Sequence, residues 1–513
     1  MMAAMASDQR PASIRASGDP GAEGAPHATH HAATAETSEA SGTWVTGPFT
    51  GVTVAELGMR LRSGAADPVA LTRAALAAIE ATQPVLNAFA AVDPDGALAA
   101  ARQAADELAG GVDRGPLHGI PVGIKDMIDT AGLTTAMGSR HFAGRVPAQD
   151  AAVVARWRAA GAVVVGKTTT HQFAYGPTGD RTASGPCANP RDPRRMAGGS
   201  SAGSASAVGA GLVPLALGTD TGGSVRIPAA LCGVAGMRPT FGRVPVTGVF
   251  PLAWSLDTVG PLAATVADLA AGWAALASSA GPPGRPADAA AGRLARAAVT
   301  AADPAELRIG IPAAPWFERV DPVVRSAVSG LADKLAAAGA RLSEVDFPDT
   351  GELLHLFMAV QSGEAVAIHQ ERMARQPELY DPEVLDRLRA AAEVPAWDYA
   401  RSLRRLGQLR EEAAHRPGDA DVLLLPTVPV LAPLLGARDT GVGGGWTRPR
   451  EALLAFTSVW GVLGCPAISV PAWPGPGSGP RLPAGAQLVG RPGQDDALLR
   501  AALAAELLAP GPG

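Results

Sequence analysis

Apolar residues recur three and four positions apart over residues 54–61, 69–79 and 97–108, a spacing that lays one apolar stripe along a helix. Asp67-Pro68 gives the second of these a start signal. Residues 120–124 and 162–165 are short apolar runs rich in β-branched side chains, suited to buried strands, and 151–160 reads as a helix leading into the second run. Strands are predicted again over 308–311, 341–345, 422–425, 467–470 and 487–489, with helices over 322–338, 396–414 and 495–508. Strands and helices alternating over about 460 residues predict an α/β protein with helices on both faces of its sheet. Residues 1–48 are rich in Ala, Ser, Gly, Thr and His without apolar periodicity, and are expected to be a disordered tail ahead of one domain over 49–513. A Pro/Ala/Gly-rich stretch at 280–306 is expected to be a surface excursion of that domain.

Composition excludes several classes. Apolar residues make up 47% of the 513, enough for a large core, and a net charge of −5 with interspersed signs gives no basic footprint for nucleic acid or a membrane surface. No uninterrupted apolar stretch reaches the length of a membrane-spanning helix. The tail has no charged segment followed by an apolar one, so no secretory signal is read. Cys187, Cys232 and Cys465 show no C-x-x-C spacing, which predicts a cytoplasmic protein without a disulfide framework. No H-E-x-x-H motif occurs among nine histidines, and His27, His30 and His31 fall in the tail, so neither a metal nor another cofactor is expected.

The basic residues carry a bias: three lysines, Lys125, Lys167 and Lys334, against forty arginines. Each lysine raises the question of what an arginine could not do in its place. Lys125 ends an apolar strand, where desolvation lowers an amine's pKa; a neutral amine accepts a proton, whereas a guanidinium stays charged. Lys167, in Val165-Gly-Lys-Thr, reads as structural, and Lys334 lies on an amphipathic helix and reads as solvated.

Two Gly/Ser turns accompany Lys125. Gly222-Gly223-Ser224 follows the apolar residues 215–217 and precedes an apparent helix start, and glycines before a serine let backbone N–H groups converge on one point. Gly198-Gly199-Ser200-Ser201 opens a small-residue helix over 202–211. Ser204 and Ala205 after Gly203 rule out a phosphate-binding P-loop, and no lysine has a serine three places before it. Gly199-Ser200-Ser201-Ala202-Gly203 matches G-x-S-x-G, but that elbow needs a strand before it, and residues 189–197 are read as no strand.

Gly119-Ile-Pro-Val-Gly-Ile-Lys125-Asp126, the Gly/Ser block, Gly218-Thr-Asp220-Thr-Gly-Gly-Ser224-Val-Arg226-Ile-Pro228 and Leu231-Cys-Gly-Val-Ala-Gly-Met-Arg-Pro-Thr240 together resemble the amidase signature family. The likeness continues through Trp254-Ser-Leu-Asp257-Thr-Val-Gly260-Pro, Leu425-Pro-Thr427, Gly464-Cys-Pro466-Ala467 and Leu482-Pro-Ala-Gly485-Ala-Gln487-Leu-Val-Gly490, covering roughly residues 50–510. It implies a single large domain with a mixed β-sheet core. It also implies a Ser–cis-Ser–Lys triad, with Ser224 as nucleophile, Ser200 as the bridging serine after a cis peptide, and Lys125 as base. Backbone N–H groups around Thr221, Gly222 and Gly223 would form the oxyanion hole; Ser201, Asp220 and Arg226 would support it, the last two as a pair shaping the loop.

Ala202 replaces a usual glycine, Gln172 stands where an acidic residue is common, and Thr457-Ser458-Val459 stands near the place of a common Asn before Gly461. The activity implied is hydrolysis of a small linear carboxamide to a carboxylate plus ammonia or an amine, by a protein that allows a homodimer. The alternative is the glutaminase (A) subunit of a tRNA-dependent amidotransferase, which would require partner subunits. Ile227 stands where such subunits more often carry Gln.

Overall fold

In a computed structural model the structure describes residues 44–277, 300–313, 318–347, 349–413, 419–438, 445–475 and 481–509. Residues 42–513 cluster as one unit. In chain order the first strands are β1 (Phe89–Val92), β2 (Pro121–Lys125), β3 (Val163–Thr168), β4 (Ala188–Asn189), β5 (Asp192–Met196), β6 (Leu215–Asp220) and β7 (Ala235–Arg238). They are followed by β8 (Thr258–Ala263), β9 (Arg308–Ala313), β10 (Arg341–Asp346), β11 (Val422–Pro426), β12 (Ala467–Ala472) and β13 (Ala484–Val489). All but β4 and β5 join one eleven-stranded sheet in the order β1-β3-β2-β6-β8-β7-β12-β13-β11-β9-β10. The sheet is mixed: β3, β2 and β6 run parallel, β6, β8, β7, β12, β13 and β11 alternate in direction, and β11, β9 and β10 run parallel again.

The α/β architecture read from periodicity is the one observed. The helix Asp495–Leu508 has the expected bounds, Pro322–Ala337 ends one residue early, and Ala396–Ala413 is helical up to the last described residue of its stretch. Strands β2, β3, β6 and β8 are buried along their whole length, which is why they are mostly apolar or small, the charged exceptions Lys125, Lys167 and Asp220 standing at or next to the carboxyl ends of β2, β3 and β6. The helix Ala202–Gly209 is entirely buried and built only of Ala, Gly, Ser and Val. A Cβ on Gly203 would meet Ala88 O at 2.2 Å and Thr169 N at 2.3 Å, so small residues are what let this helix lie against neighbouring backbone. On the opposite face the helix Val266–Ala277 brings Gly272 against Leu215 and Pro261.

Periodicity missed the 26-residue helix Thr350–Arg375, whose apolar positions are interrupted by buried Gln361, Ser362, Glu364 and His369. The reading of residues 189–197 as strandless is corrected: Asp192–Met196 forms β5 and pairs antiparallel with β4 in a two-stranded hairpin outside the main sheet. Pro and Arg disguised it, and only Asp192 and Met196 of its five residues are buried. Trp44 to Pro48, assigned by composition to the tail, lie against the domain: the Trp44 ring sits 5.5 Å from that of Trp473, with the Arg191 guanidinium 4.5 Å above it. Val45 N–H also donates to Pro190 O at 3.0 Å. The rest of the tail, and residues 280–299 of the expected excursion, lie outside the described residues. No described helix is long and apolar enough to cross a membrane.

Candidate active site

Parallel pairing places the site. Ile124 of β2 registers with Leu217 of β6, so the carboxyl ends of the two strands deliver Lys125 and Thr219 side by side although 94 residues separate them. Ligand sites favour this end of parallel strands. Lys125 Nζ lies 2.7 Å from Ser200 Oγ and 2.7 Å from Thr219 Oγ1, and both Lys125 and Ser200 are fully buried. Burial pushes the Lys125 ammonium down to about 7, against the opposing pull of Asp220 and Asp257. No ion pair holds Lys125 among the described residues, because Asp220 is claimed by arginines. Arg226 Nη2 approaches it at 2.9 Å and Arg238 Nη1 at 3.1 Å, with all three side chains fully buried. Burial alone would raise the Asp220 carboxyl, but the two guanidiniums hold it well below the usual range.

Ser200 follows a cis peptide bond from Gly199. Its carbonyl accepts the His171 N–H at 3.1 Å, and the next N–H, of Ser201, donates to Ser224 O at 3.1 Å, so the two Gly/Ser turns are stitched backbone to backbone. A Cβ on Gly199 would meet Gly179 N at 2.7 Å, which leaves room there for glycine alone. Ser201 Oγ is tied to the N–H and O of Thr219, at 3.3 Å each, and is fully buried. Ser201 therefore braces the turn against β6 and is no exposed elbow nucleophile.

Ser224 sits between β6 and the helix Arg226–Cys232. It keeps 7% of its surface exposed, and its Oγ forms no hydrogen bond among the described residues; the Ser200 hydroxyl is thus joined to Lys125 but not to Ser224 here. Asp220 fixes the loop ahead of Ser224 by accepting the Gly223 N–H at 2.8 Å and the Val225 N–H at 3.2 Å. Gly223, one of the expected oxyanion donors, therefore has its N–H engaged, while those of Gly222 and Ser224 form no hydrogen bond among the described residues.

Neighbouring elements enforce the loop. Gly223 has φ 130°, and a Cβ there would fall 2.2 Å from Thr457 Oγ1, whose hydroxyl donates to Gly222 O at 2.6 Å. A Cβ on Gly222 would strike the Phe357 ring at 2.4 Å. Thr221 Oγ1 donates to Asp257 at 2.5 Å, and Asp257, pushed up to about 6 by burial, also accepts the N–H groups of Leu252 and Ala253. Arg226 reaches onward to Gln487 Oε1 at 2.6 Å and Thr457 O at 3.0 Å.

Sequence reasoning brought Lys125, Ser200, Ser201, Asp220, Thr221 to Ser224 and Arg226 into one region, and all are found there. It overlooked Thr219, Arg238, Phe357 and Thr457. Arg238 and Thr219 stood inside the quoted motifs and could have been flagged as buried polar residues at strand ends; Phe357 carries no local signal, and Thr457 stands out in sequence only as part of a departure from a common Asn. Lys167 is buried, donating to Ile128 O and, at 3.0 Å, to Thr130 Oγ1, and Lys334 is exposed. Both fit their sequence readings.

Comparison with known proteins places this geometry in a family. The chain is 38% identical to the A subunit of the glutamyl-tRNA(Gln) amidotransferase of Chloroflexus aurantiacus over 477 residues, covering 88% of this chain and 95% of that one. It is 37% identical to an amidase of Pseudomonas putida, covering 89% and 96% respectively. The crystal structure of the peptide amidase of Stenotrophomonas maltophilia superimposes with a TM-score of 0.72 at 29% identity, covering 91% of this chain and 99% of that one. The family model described as Amidase matches residues 70–499. The chain belongs to the amidase signature family of hydrolases acting on amide C–N bonds.

Proposed function

We propose that this protein is an amidohydrolase that cleaves a linear carboxamide to a carboxylate plus ammonia or an amine through an acyl-enzyme on Ser224. The observation that carries this reading is Lys125: a buried amine without an ion-pair partner among the described residues, 2.7 Å from the Ser200 hydroxyl. In its neutral form Lys125 takes the Ser200 proton while Ser200 takes that of Ser224, whose Oγ forms a bond to the amide carbon. The Gly222 and Ser224 N–H groups receive the oxyanion; one such donor is worth about 3–4 kcal/mol in other hydrolases. The proton returns through Ser200 to the leaving nitrogen, the C–N bond breaks, and water, deprotonated by the same relay, cleaves the ester. The missing Ser200–Ser224 hydrogen bond is compatible with this sequence, since catalytic hydrogen bonds tighten when substrate binds.

The test is covalent. A fluorophosphonate should label the protein at Ser224, and Ser224→Ala should abolish the label; labelling that persists in the variant would refute the assignment.

A second reading, the glutaminase subunit of an amidotransferase, is favoured by the resemblance to the Chloroflexus protein. It predicts that the purified chain alone turns over simple amides poorly. The first reading predicts steady hydrolysis without partners. Ile227, where such subunits more often carry Gln, weighs for the hydrolase.

A further inference from the structure

A cavity of about 570 Å³ lies at the β10 edge of the sheet, lined by residues of β10, β11 and the helix Ser458–Leu463. Its volume is that of a site for one small organic molecule. Leu423, Trp460, Leu463 and Val489 line it, each no more than 5% exposed, so its floor is apolar. Phe347 lines it too, and its ring meets that of Trp460 edge-on with centroids 5.1 Å apart. The helix carrying Trp460 and Leu463 also braces the reacting loop. A Cβ on its Gly461 would fall 2.6 Å from Thr221 O, and the hydroxyl of Thr457, just ahead of it, holds Gly222 O. No described residue of the segment 219–226 lines the cavity, so cavity and reacting groups are separate places that share one short helix.

The rim of the cavity carries one sign of charge. Glu344 and Asp346 stand two apart on β10, hence on one face of the strand, and line the cavity together with Asp419; all three are exposed. None of the three side chains forms an ion pair or a hydrogen bond among the described residues, and no described lining residue is basic. Arg308, the arginine whose charge Asp419 reaches, is held by Asp421 at 2.7 Å. Exposed carboxylates alone are solvated and select no ligand. Beside an apolar floor they discriminate. A neutral hydrocarbon makes no use of them, an anion is repelled, and a hydrated inorganic cation gains nothing from Leu423 or Trp460. A ligand with a hydrocarbon body and one ammonium end suits both parts, and aromatic rings such as those of Trp460 and Phe347 also favour a cation.

We infer that this cavity binds an apolar primary ammonium ion, its hydrocarbon on the floor around Leu423 and Trp460 and its charge among Glu344, Asp346 and Asp419. The site goes beyond the hydrolase reading and does not depend on it, because its test measures binding alone. Calorimetry on the full chain at neutral pH and low salt compares three probes: 4-phenylbutylammonium, its neutral counterpart 4-phenylbutanol, and methylammonium, which has the charge without the apolar body. The phenylbutylammonium ion should bind at least tenfold more tightly than either of the others. Combining Glu344→Gln, Asp346→Asn and Asp419→Asn, all at exposed positions, should lower its affinity at least tenfold, to that of the alcohol, and leave the alcohol unchanged. Leu423→Trp, which fills the floor, should weaken the ammonium and the alcohol alike at least tenfold; if that variant does not fold, the charge variant decides alone. No binding of the ammonium by the native protein would overturn the inference, as would equal affinity for ammonium and alcohol. Undiminished ammonium binding by the charge variant would overturn it too, since the ion would then sit elsewhere, the Ser224 loop included.

Discussion

At the scale of single residues, Lys125 shows how position outweighs type. Lys125 and Lys167 are both fully buried, pushed down to about 7 and about 8, and both end or nearly end strands. What separates them is the partner. Lys167 donates to a carbonyl and a threonine away from the serines, whereas Lys125 meets the hydroxyl of Ser200. The motif and its spacing made Lys125 legible in sequence; the burial of Lys167 was not, because β3 pairs on both sides with strands distant in sequence. If neutral Lys125 is the base, kcat/KM should fall about tenfold per unit as pH drops below about 7 and level off above it. Lys125→Arg should cost about 10²- to 10⁴-fold and erase that limb, since a guanidinium does not titrate there. A pH–rate profile of both proteins measures this, and near-normal turnover by the arginine variant would remove the argument.

At the scale of elements, the site is a junction of strand ends and a loop clamped by helices. The Gly222-Gly223-Ser224 turn was readable because its glycines are consecutive and precede a serine. What demands those glycines was not readable: Phe357 and Thr457 arrive from helices more than 130 residues downstream. The strand β5 was hidden for a related reason, since its pairing partner β4 is only two residues long and its Pro and Arg residues look like a loop. Gly222→Ala should therefore push its methyl into the Phe357 ring, displace the loop and lower kcat/KM roughly 100-fold, since a shift of about 1 Å at reacting groups costs that much. Adding Phe357→Ala should recover part of the loss. If the double variant is no better than Gly222→Ala alone, the clash is not what fixes the turn.

For the whole molecule, the fold class followed from alternating periods, whereas the order of its strands did not, because the sheet interleaves segments from opposite ends of the domain. Buried carboxylates mark where those ends meet. Asp268 accepts the Val54 N–H at 2.7 Å, and Glu506, on the C-terminal helix, accepts the Val266 N–H at 2.8 Å. Burial pushes Asp268 up to about 6 and Glu506 up to about 7, and the Asp268 charge adds to the shift of Glu506. Both folded-state values lie above those of free carboxyls, near 3.9 and 4.3, so between those limits the folded protein holds more protons than the unfolded chain. Their contribution to stability is fully present below about pH 4 and is lost as pH rises through about 7. Urea midpoints measured at pH 5 and pH 8 should thus show this pair favouring the lower pH. Glu506→Gln keeps the acceptor and cannot ionise, so its midpoint should decline less between those two values than that of the native protein. Parallel declines would mean that Glu506 titrates as an ordinary solvated carboxyl, already ionised at pH 5, and adds nothing to the pH dependence of stability.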